Sequence, residues 1–347
     1  MSELRRVMQS AGGAIANLLE TAAYFVVAAT IAGFLSAFES FFDLFSHFRV
    51  QYLCLLILTV VPLVLRKKWL PAALVAAAIG ANLVEILPLY FNGGGVQKTT
   101  SATATAADLR TAVDTRTAVD TRTAVDTRTV KILDVNFNSR NSNFEALKAL
   151  ATESNADIIC WQEFSADAEA WASKNLDSIY PYSRRLPRHD NFGIAIFSRL
   201  PVKDFEILDL SDVHVETLVA TIDLNGRLFD VINTHPWPPV TASAYRSRDL
   251  QLENLAEYVK KSKRSSVICG DLNATSWCDS FKKLLRTSGL KDSRKGYGVQ
   301  ASWPTMIPLA MIPIDHVLVD PRIRVLNRRT GPSVFSDHLP VIVELAL

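Results

Sequence analysis

Val267-Ile268-Cys269-Gly270-Asp271-Leu272-Asn273 is an apolar, β-rich run that ends on a carboxylate and an amide. Asp271 and Asn273 lie two apart, so on an extended segment their side chains share a face. A carboxylate there can orient or deprotonate a water, and an amide beside it can donate to an oxyanion. An Asx turn after a strand is the equally weighted structural alternative. Working outward, the same design recurs at Asn136, Gln162-Glu163, Thr234-His235, Ile314-Asp315-His316 and Ser336-Asp337-His338, each following or ending a short apolar run. Strand ends are where a sheet can gather carboxylates, amides and imidazoles from distant parts of a chain.

A chain of 347 residues allows two or three domains. Its apolar fraction of 49% is high for a soluble protein, and the excess lies in the first ninety residues. A formal net charge of +2 provides no chain-wide basic field for nucleic acid. Cys54, Cys160, Cys269 and Cys278 show neither CxxC spacing nor a disulfide framework, and Cys160 and Cys269 read as inert core thiols.

The apolar excess forms three stretches, at about residues 18–38, 50–65 and 70–91. A spanning helix needs about 20 apolar residues, which the first and third meet, while Tyr52 and Trp69 suit the two interfaces of the shorter second. The first is too long for the core of a cleaved signal peptide, and two more follow it. Glu20 and Glu39 fall at span ends, and Glu85, beside Asn82, is expected to face another helix or an interface. Arg5, Arg6 and the turn Arg66-Lys67-Lys68 place the N-terminus in the cytoplasm. Three spans then deliver the C-terminal domain to the outer face of the inner membrane. Residues 1–92 are thus the membrane region. Residues 93–128, with Arg110-Thr111-Ala112-Val113-Asp114-Thr115 repeated twice more, read as a flexible tether.

From residue 129 to 347 strand-like runs alternate with amphipathic helices. Strands are expected over 130–135, 158–161, 193–197, 205–210, 218–224, 228–232, 267–269, 314–319 and 341–345. Helices are expected over 144–152, 166–176 and 243–261. Asn225-Gly226 is a strong hairpin signal. The pattern predicts an α/β sandwich of two sheets with helices outside.

Glu163 ends a buried run, where an unpaired carboxylate is costly. A divalent cation would compensate it, and oxygen ligands favour Mg²⁺ or Mn²⁺. A helix N-terminal charge near Ser165 is the alternative. Asp315 and Asp337-His338 supply an acid/base element, since a carboxylate raises the basicity of an imidazole. His235 could protonate a leaving oxygen or bind a phosphate. His214 and His316 read as surface or structural residues.

This ordered set, with Ser198-Arg199 and the extension Ser336-Asp337-His338-Leu339-Pro340-Val341, resembles the endonuclease/exonuclease/phosphatase superfamily. The resemblance covers about residues 129–347, and bacterial members tethered by N-terminal membrane helices are the nearest match. It implies a four-layer α/β/β/α, DNase I-like fold and metal-assisted cleavage of a phosphate ester. Glu163 would then be the main Mg²⁺ ligand, with Asn136 close by and Asp337 supporting the metal. Asp271 would orient the attacking water, Asn273 would stabilise the pentacoordinate phosphorus, and His338, paired with Asp315, would contact the phosphate. His235 matches a catalytic histidine, and Asn136, Asn273, His235 and His338 together would bind substrate. The family more often has Thr or Trp before its Asn, so Asn138 competes with Asn136; Asn191 stands where some members carry a Tyr or an acid. Nucleic acid, a phospholipid headgroup or a small phosphodiester are the substrates in view, with the bilayer as a further partner and no protein partner inferred. Arg184-Arg185, Arg188, Lys260-Lys261-Lys263-Arg264 and Arg328-Arg329 read first as solvated faces and second as local basic patches. A catalytically silent membrane scaffold is the rival, against which the intact polar set speaks.

Overall fold

In the computed structural model, which describes residues 2–38, 40–91 and 129–347, every second residue of the central strands points into one shared layer. Residues 93–128, expected above to be a tether, and Glu39 lie outside the described residues. Five helices come first: α1 (Ser2–Phe34), α2 (Ser40–Ser46), α3 (Arg49–Leu65), α4 (Trp69–Ile86) and α5 (Pro88–Phe91). The order then runs β1 (Thr129–Asn136), α6 (Phe144–Glu153), β2 (Ile158–Gln162), α7 (Ala166–Asn175), β3 (Tyr182–Leu186), β4 (Ile194–Ser198), β5 (Val202–Asp209), β6 (Glu216–Leu224) and β7 (Arg227–Asn233). It ends with α8 (Ala242–Lys261), β8 (Ser265–Asp271), α9 (Asp279–Ser288), β9 (Lys291–Asp292), β10 (Asp315–Val319), β11 (Arg324–Thr330) and β12 (Val341–Ala346).

The strands form two mixed six-stranded sheets, ordered β11-β12-β1-β2-β4-β3 and β5-β6-β7-β8-β10-β9. Period-two alternation explains the layering. Val130, Ile132, Ile158, Cys160, Val231, Val267, Cys269, Val317 and Val319 meet between the sheets. Their alternates Leu133, Val135, Ile159 and Trp161 face α6 and α7, while Ile232, Ile268 and Leu318 face α8 and α9. The result is the DNase I-like α/β architecture. Gly226 completes the β6–β7 hairpin with φ +86°, following Asn225 at φ +54°, as a two-residue turn of this hand requires.

The strand and helix assignment above lacks four elements of this region, β3, β9, β11 and α9. Arg324 to Thr330 is charged, and β3 is an edge strand with a polar sequence, Tyr182-Ser183-Arg184-Arg185-Leu186. Two of the basic runs are corrected by packing, while Lys260, Lys261, Lys263 and Arg264 are exposed, as a solvated face requires. Arg328 is buried, donating to Ser293 Oγ at 3.0 Å and contacting Gln300 Oε1, and Arg185 is ion-paired with Glu169 and Asp177. All four cysteines are free, with Cys160 and Cys269 buried as core residues.

In the N-terminal region α1, α3 and α4 share a small core of Ala23, Leu56, Leu63, Ala72, Val75 and Ala78. Large apolar side chains also point outward, Phe25 at 73% and Val84 at 72% exposure among them. Two segments, Gly13–Phe34 and Trp69–Phe91, are long and apolar enough to cross a membrane, while Arg49–Leu65 is a shorter apolar helix. At one end Glu20 pairs with Lys68 at 2.5 Å and Arg66 at 3.6 Å. At the other, Glu85 pairs with Lys282 of α9 at 2.9 Å, so it faces another helix, one of the two settings expected for it.

Candidate active site

The alternation that fills the inter-sheet layer with Val and Ile also decides what its end contains. Continuing the inward face by two residues per step leads from Ile132 to Asp134 and Asn136, from Cys160 to Gln162, from Val231 to Asn233, and from Cys269 to Asp271. Asp315 sits opposite Asp271 in the antiparallel β8–β10 register, and Asn136 beside Gln162 in the parallel β1–β2 register. Five strands from both sheets therefore deliver polar groups to one edge of the layer.

Asp271 is the hub. Its Oδ1 accepts from Asn273 N at 2.8 Å, which is the Asx-type turn, and its Oδ2 accepts from Asn136 Nδ2 at 3.2 Å. That same oxygen lies 3.6 Å from His235 Nε2 and 3.7 Å from His338 Nε2. Burial, then the charge of Asp315, push Asp271 up to about 6, with the two imidazoles working the other way. The approach needs Gly270: at φ +139°, an added Cβ would fall 2.0 Å from Thr234 O. The turn reading and the functional reading of Asp271-Leu272-Asn273 are thus compatible.

His338 Nδ1 meets Asp315 Oδ2 at 2.9 Å and Oδ1 at 3.2 Å. Burial opposes the imidazolium, but Asp315 and then Asp271 outweigh it and hold His338 up at about 10. Burial likewise raises Asp315, but His338 carries it below its ordinary value. Ser302 Oγ fixes this corner by accepting from Ile314 N and Asp315 N, both at 3.3 Å. His235 is buried, which lowers its pKa and favours the neutral form, and its Nδ1 has no hydrogen-bond partner among the described residues. His316 also behaves as expected: it is buried, with Nε2 2.7 Å from Ala274 O, and burial drives it down to about 3.

Glu163 follows β2 in the left-handed region, φ +58°. The helix-charge alternative does not describe it, because Ser165 Oγ caps α7 by accepting from Ala168 N at 3.2 Å. Glu163 Oε2 instead accepts from Ser139 N at 2.8 Å. Burial raises its pKa, against the pull of Ser139 N and the Asn136 side chain. Asn136 therefore sits between Glu163 and Asp271. Asn138 takes a different position: also left-handed, at φ +62°, it donates Nδ2 to Asp337 Oδ1 at 2.8 Å. Asp337 Oδ2 accepts from Trp303 Nε1 at 3.1 Å. Asn191 reaches the same rim, accepting from Ser139 Oγ at 2.8 Å. Asn273, at φ +47°, uses one amide hydrogen on Pro236 O at 2.9 Å and keeps a second. Three left-handed non-glycine residues at one site are strain that the surrounding structure must hold.

Sequence reasoning missed Asp134 and Asn233. Gln162 Nε2 donates to Asp134 Oδ1 at 2.9 Å and to Asn233 Oδ1 at 2.7 Å, joining the sheets behind the site. Asn233 Nδ2 in turn donates to Trp161 O at 3.1 Å and Ala195 O at 2.9 Å. Burial, then Asp315, push Asp134 well above its ordinary value. Its inward phase beside Ile132 was the available signal.

Among the described residues, Asp271, Asp315 and His338 place one ligand atom each within 4.8 Å of one another. With Glu163 and Asp337 nearby, the edge carries more carboxylate than cation, and two of its carboxyls are pushed toward protonation. That oxygen-rich donor set fits a hard divalent ion such as Mg²⁺ or Mn²⁺.

Residues 135–338, more than half the chain, match the Endonuclease/Exonuclease/phosphatase family model. No curated protein matches significantly. Among solved structures, a humanized D. rerio TDP2 superposes with TM-score 0.54 at 15% identity, covering 63% of this chain and 99% of that one. D. rerio TDP2 complexed with a single-strand DNA product gives 0.54 at 14%, covering 62% and 98%. An endonuclease/exonuclease/phosphatase family protein from Leptotrichia buccalis gives 0.51 at 16%, covering 63% and 100%. At such identities the likeness speaks for the fold, and the family match speaks for descent. The chain belongs to the endonuclease/exonuclease/phosphatase family.

Proposed function

We propose that the chain is a membrane-anchored, divalent-metal-dependent phosphodiester hydrolase. The observation that carries the reading is the convergence on Asp271 of Asn136, His235 and His338 from three other segments, with Glu163 one residue beyond. Glu163, with Asn136 and Asp337, would hold the cation. Asp271, Asp315 and His338 are better suited to proton handling, because a protonated His338 locked on Asp315 has no lone pair for a metal. The bound ion would supply Lewis-acid polarisation of the phosphoryl oxygen. Asp271 orients the attacking water and accepts its proton. Asn273 offers its free amide hydrogen, and His338 its Nε2–H, to the phosphoryl oxygens. His235, neutral and buried, stands where a leaving oxygen could be met. A phosphodiester substrate agrees with the single-strand DNA product in the D. rerio TDP2 complex.

The test uses the full chain in detergent with bis-p-nitrophenyl phosphate. Turnover is expected with Mg²⁺ or Mn²⁺, and EDTA is expected to reduce it at least about tenfold, reversibly on adding metal back. A folded chain with no metal-dependent turnover would favour the scaffold.

Anchoring through the region 1–92 is part of the proposal, as is a catalytic domain over 129–347 joined by a tether. Its support is the outward apolar surface of the α1–α3–α4 bundle, the opposite of a soluble helical domain. The positions of Glu20 with Lys68 at one end and Glu85 with Lys282 at the other agree with an odd number of crossings. An alkaline phosphatase reporter fused after Leu347 is expected to be active in the periplasm. A reporter active only in the cytoplasm would reverse the topology.

A further inference from the structure

The N-terminal segment does more than hold the domain: it completes a cavity that opens onto the candidate active site. Asp43 of α2 pairs with the buried Arg248 of α8 at 2.9 Å, and the same Arg248 Nη1 donates to Asn273 O at 3.1 Å. His47 Nδ1 lies 3.1 Å from Thr275 Oγ1, and its Nε2 lies 3.2 Å from Asp43. Gln51 Nε2 donates to Met311 O at 2.9 Å, and Trp277 Nε1 to Glu85 O at 3.1 Å. The helices are therefore joined by buried polar contacts to the very loop that presents Asn273.

Between them lies a cavity of 640 Å³, within the roughly 300–1,000 Å³ of ordinary ligand sites. Its helical wall carries Phe41, Leu44 and Phe48, and its domain wall Pro239, Val240 and Ile312. Its remaining lining includes Asn273 and Trp303, and Trp303 Nε1 is bonded to Asp337. The cavity therefore reaches the polar edge already described, and most of its lining is apolar, with the paired Asp43 and His47 in the helical wall. Val240 of the lining is also 82% exposed. Across Asp337 a second opening of 820 Å³ is bordered by Asn138, Arg140 and Asn141 together with Met306, Met311 and Phe335. A phosphodiester has two ester substituents, and two cavities flank this site, the one against the helices being the more apolar.

We propose that the substrate is an amphiphilic phosphodiester of the bilayer, its hydrocarbon chain lodged between residues 41–48 and the domain and its phosphate at Asp271 and Asn273. The assignment rests on the hydrolase reading above. Water adds at phosphorus, one P–O ester bond breaks, and the departing oxygen takes a proton. The products are a phosphomonoester and an alcohol. The cavity wall comes from the loop between two candidate spans, which sets that wall at the membrane surface, where such a chain enters without leaving lipid. The apolar lining has no comparable use for a nucleic acid, whose substituents are polar on both sides of the phosphate.

The full chain in detergent micelles is assayed on p-nitrophenyl phosphodiesters carrying methyl, octyl or hexadecyl as the second substituent. The leaving group is constant, so only the tail varies. Metal-dependent kcat/KM is expected to rise at least about 100-fold from methyl to hexadecyl, given the free energy of burying successive methylenes. Leu44→Trp, or Ile312→Trp from the opposite wall, is expected to erase at least about tenfold of that rise. A rise that persists in both variants reports partition into micelles and overturns the tail site. Turnover independent of chain length overturns it while leaving the hydrolase reading intact, and no turnover of any ester overturns both.

Discussion

Asp271→Asn is expected to lower kcat for phosphodiester hydrolysis by about 1,000-fold, within the roughly 10²–10⁴ that a positioned acid or base contributes. The substitution keeps the shape of the side chain and its acceptor for Asn273 N, so the turn survives. It removes the charge around which Asn136, His235 and His338 are arranged at 3.2, 3.6 and 3.7 Å. An amide takes no proton from water, and it removes one of the charges that favour the imidazolium form of His338, leaving Asp315 as the larger one. Because Asp271 and His338 act on one proton inventory, Asp271→Asn combined with His338→Ala should fall little below the lower single variant. The measurements are kcat for the three variants and a urea midpoint for each. Multiplicative losses in the double variant would mean that the two groups act independently, and an active Asp271→Asn chain would remove Asp271 from the chemistry.

The second large effect is on stability. Asp292→Ala is expected to destabilise the chain by about 3–5 kcal/mol at neutral pH, the cost of stripping the partner from a buried ion pair. Asp292 Oδ2 accepts from Arg294 Nη2 at 2.8 Å, and Oδ1 from Arg294 N at 2.9 Å. Arg294 is fully buried, and Arg328 is nearly so. Burial alone would raise Asp292, but Arg294, His316 and Arg328 hold it well below its ordinary range. Burial, with Arg294 close by, drives Arg328 down to about 9, so one carboxylate serves two crowded guanidiniums. A depressed folded pKa gives stability that is present above the unfolded value of about 4 and is lost as pH falls through the folded one. The gap between wild type and Asp292→Ala in urea midpoint should therefore be full at pH 7 and shrink below about pH 4. A gap that widened on acidification would contradict the assignment.

This charged cluster also shows where the sequence stopped being readable. Arg328-Arg329 has the appearance of a solvated basic face, and Asp292 lies in a stretch with no motif. Their meeting joins residues from β9 and β11, which belong to different sheets. Only the layering of those sheets makes Arg328 an interior residue. The edge strands β3 and β11 escaped notice for a related reason, since an edge tolerates charge and so loses the alternation that reveals a strand.

By contrast, the central strands were legible because their local pattern and their final environment demand the same residues. An apolar alternation that breaks off into Asp, Asn or His marks a strand end, and the left-handed Asn225-Gly226 pair marks a hairpin without help from elsewhere. Those local signals gave two sheets, outside helices and the ordered candidates from Asn136 to His338. The sequence by itself thus determined which residues were available at strand ends, since side-chain phase along a strand is a property of a few neighbouring residues. Tertiary structure alone decided that Asp271 is the hub, that Asp134 and Asn233 join the sheets behind it, and that residues 41–48 wall the cavity. Those are meetings between segments tens to hundreds of residues apart, fixed by strand order and helix docking, which no local stretch of chain encodes.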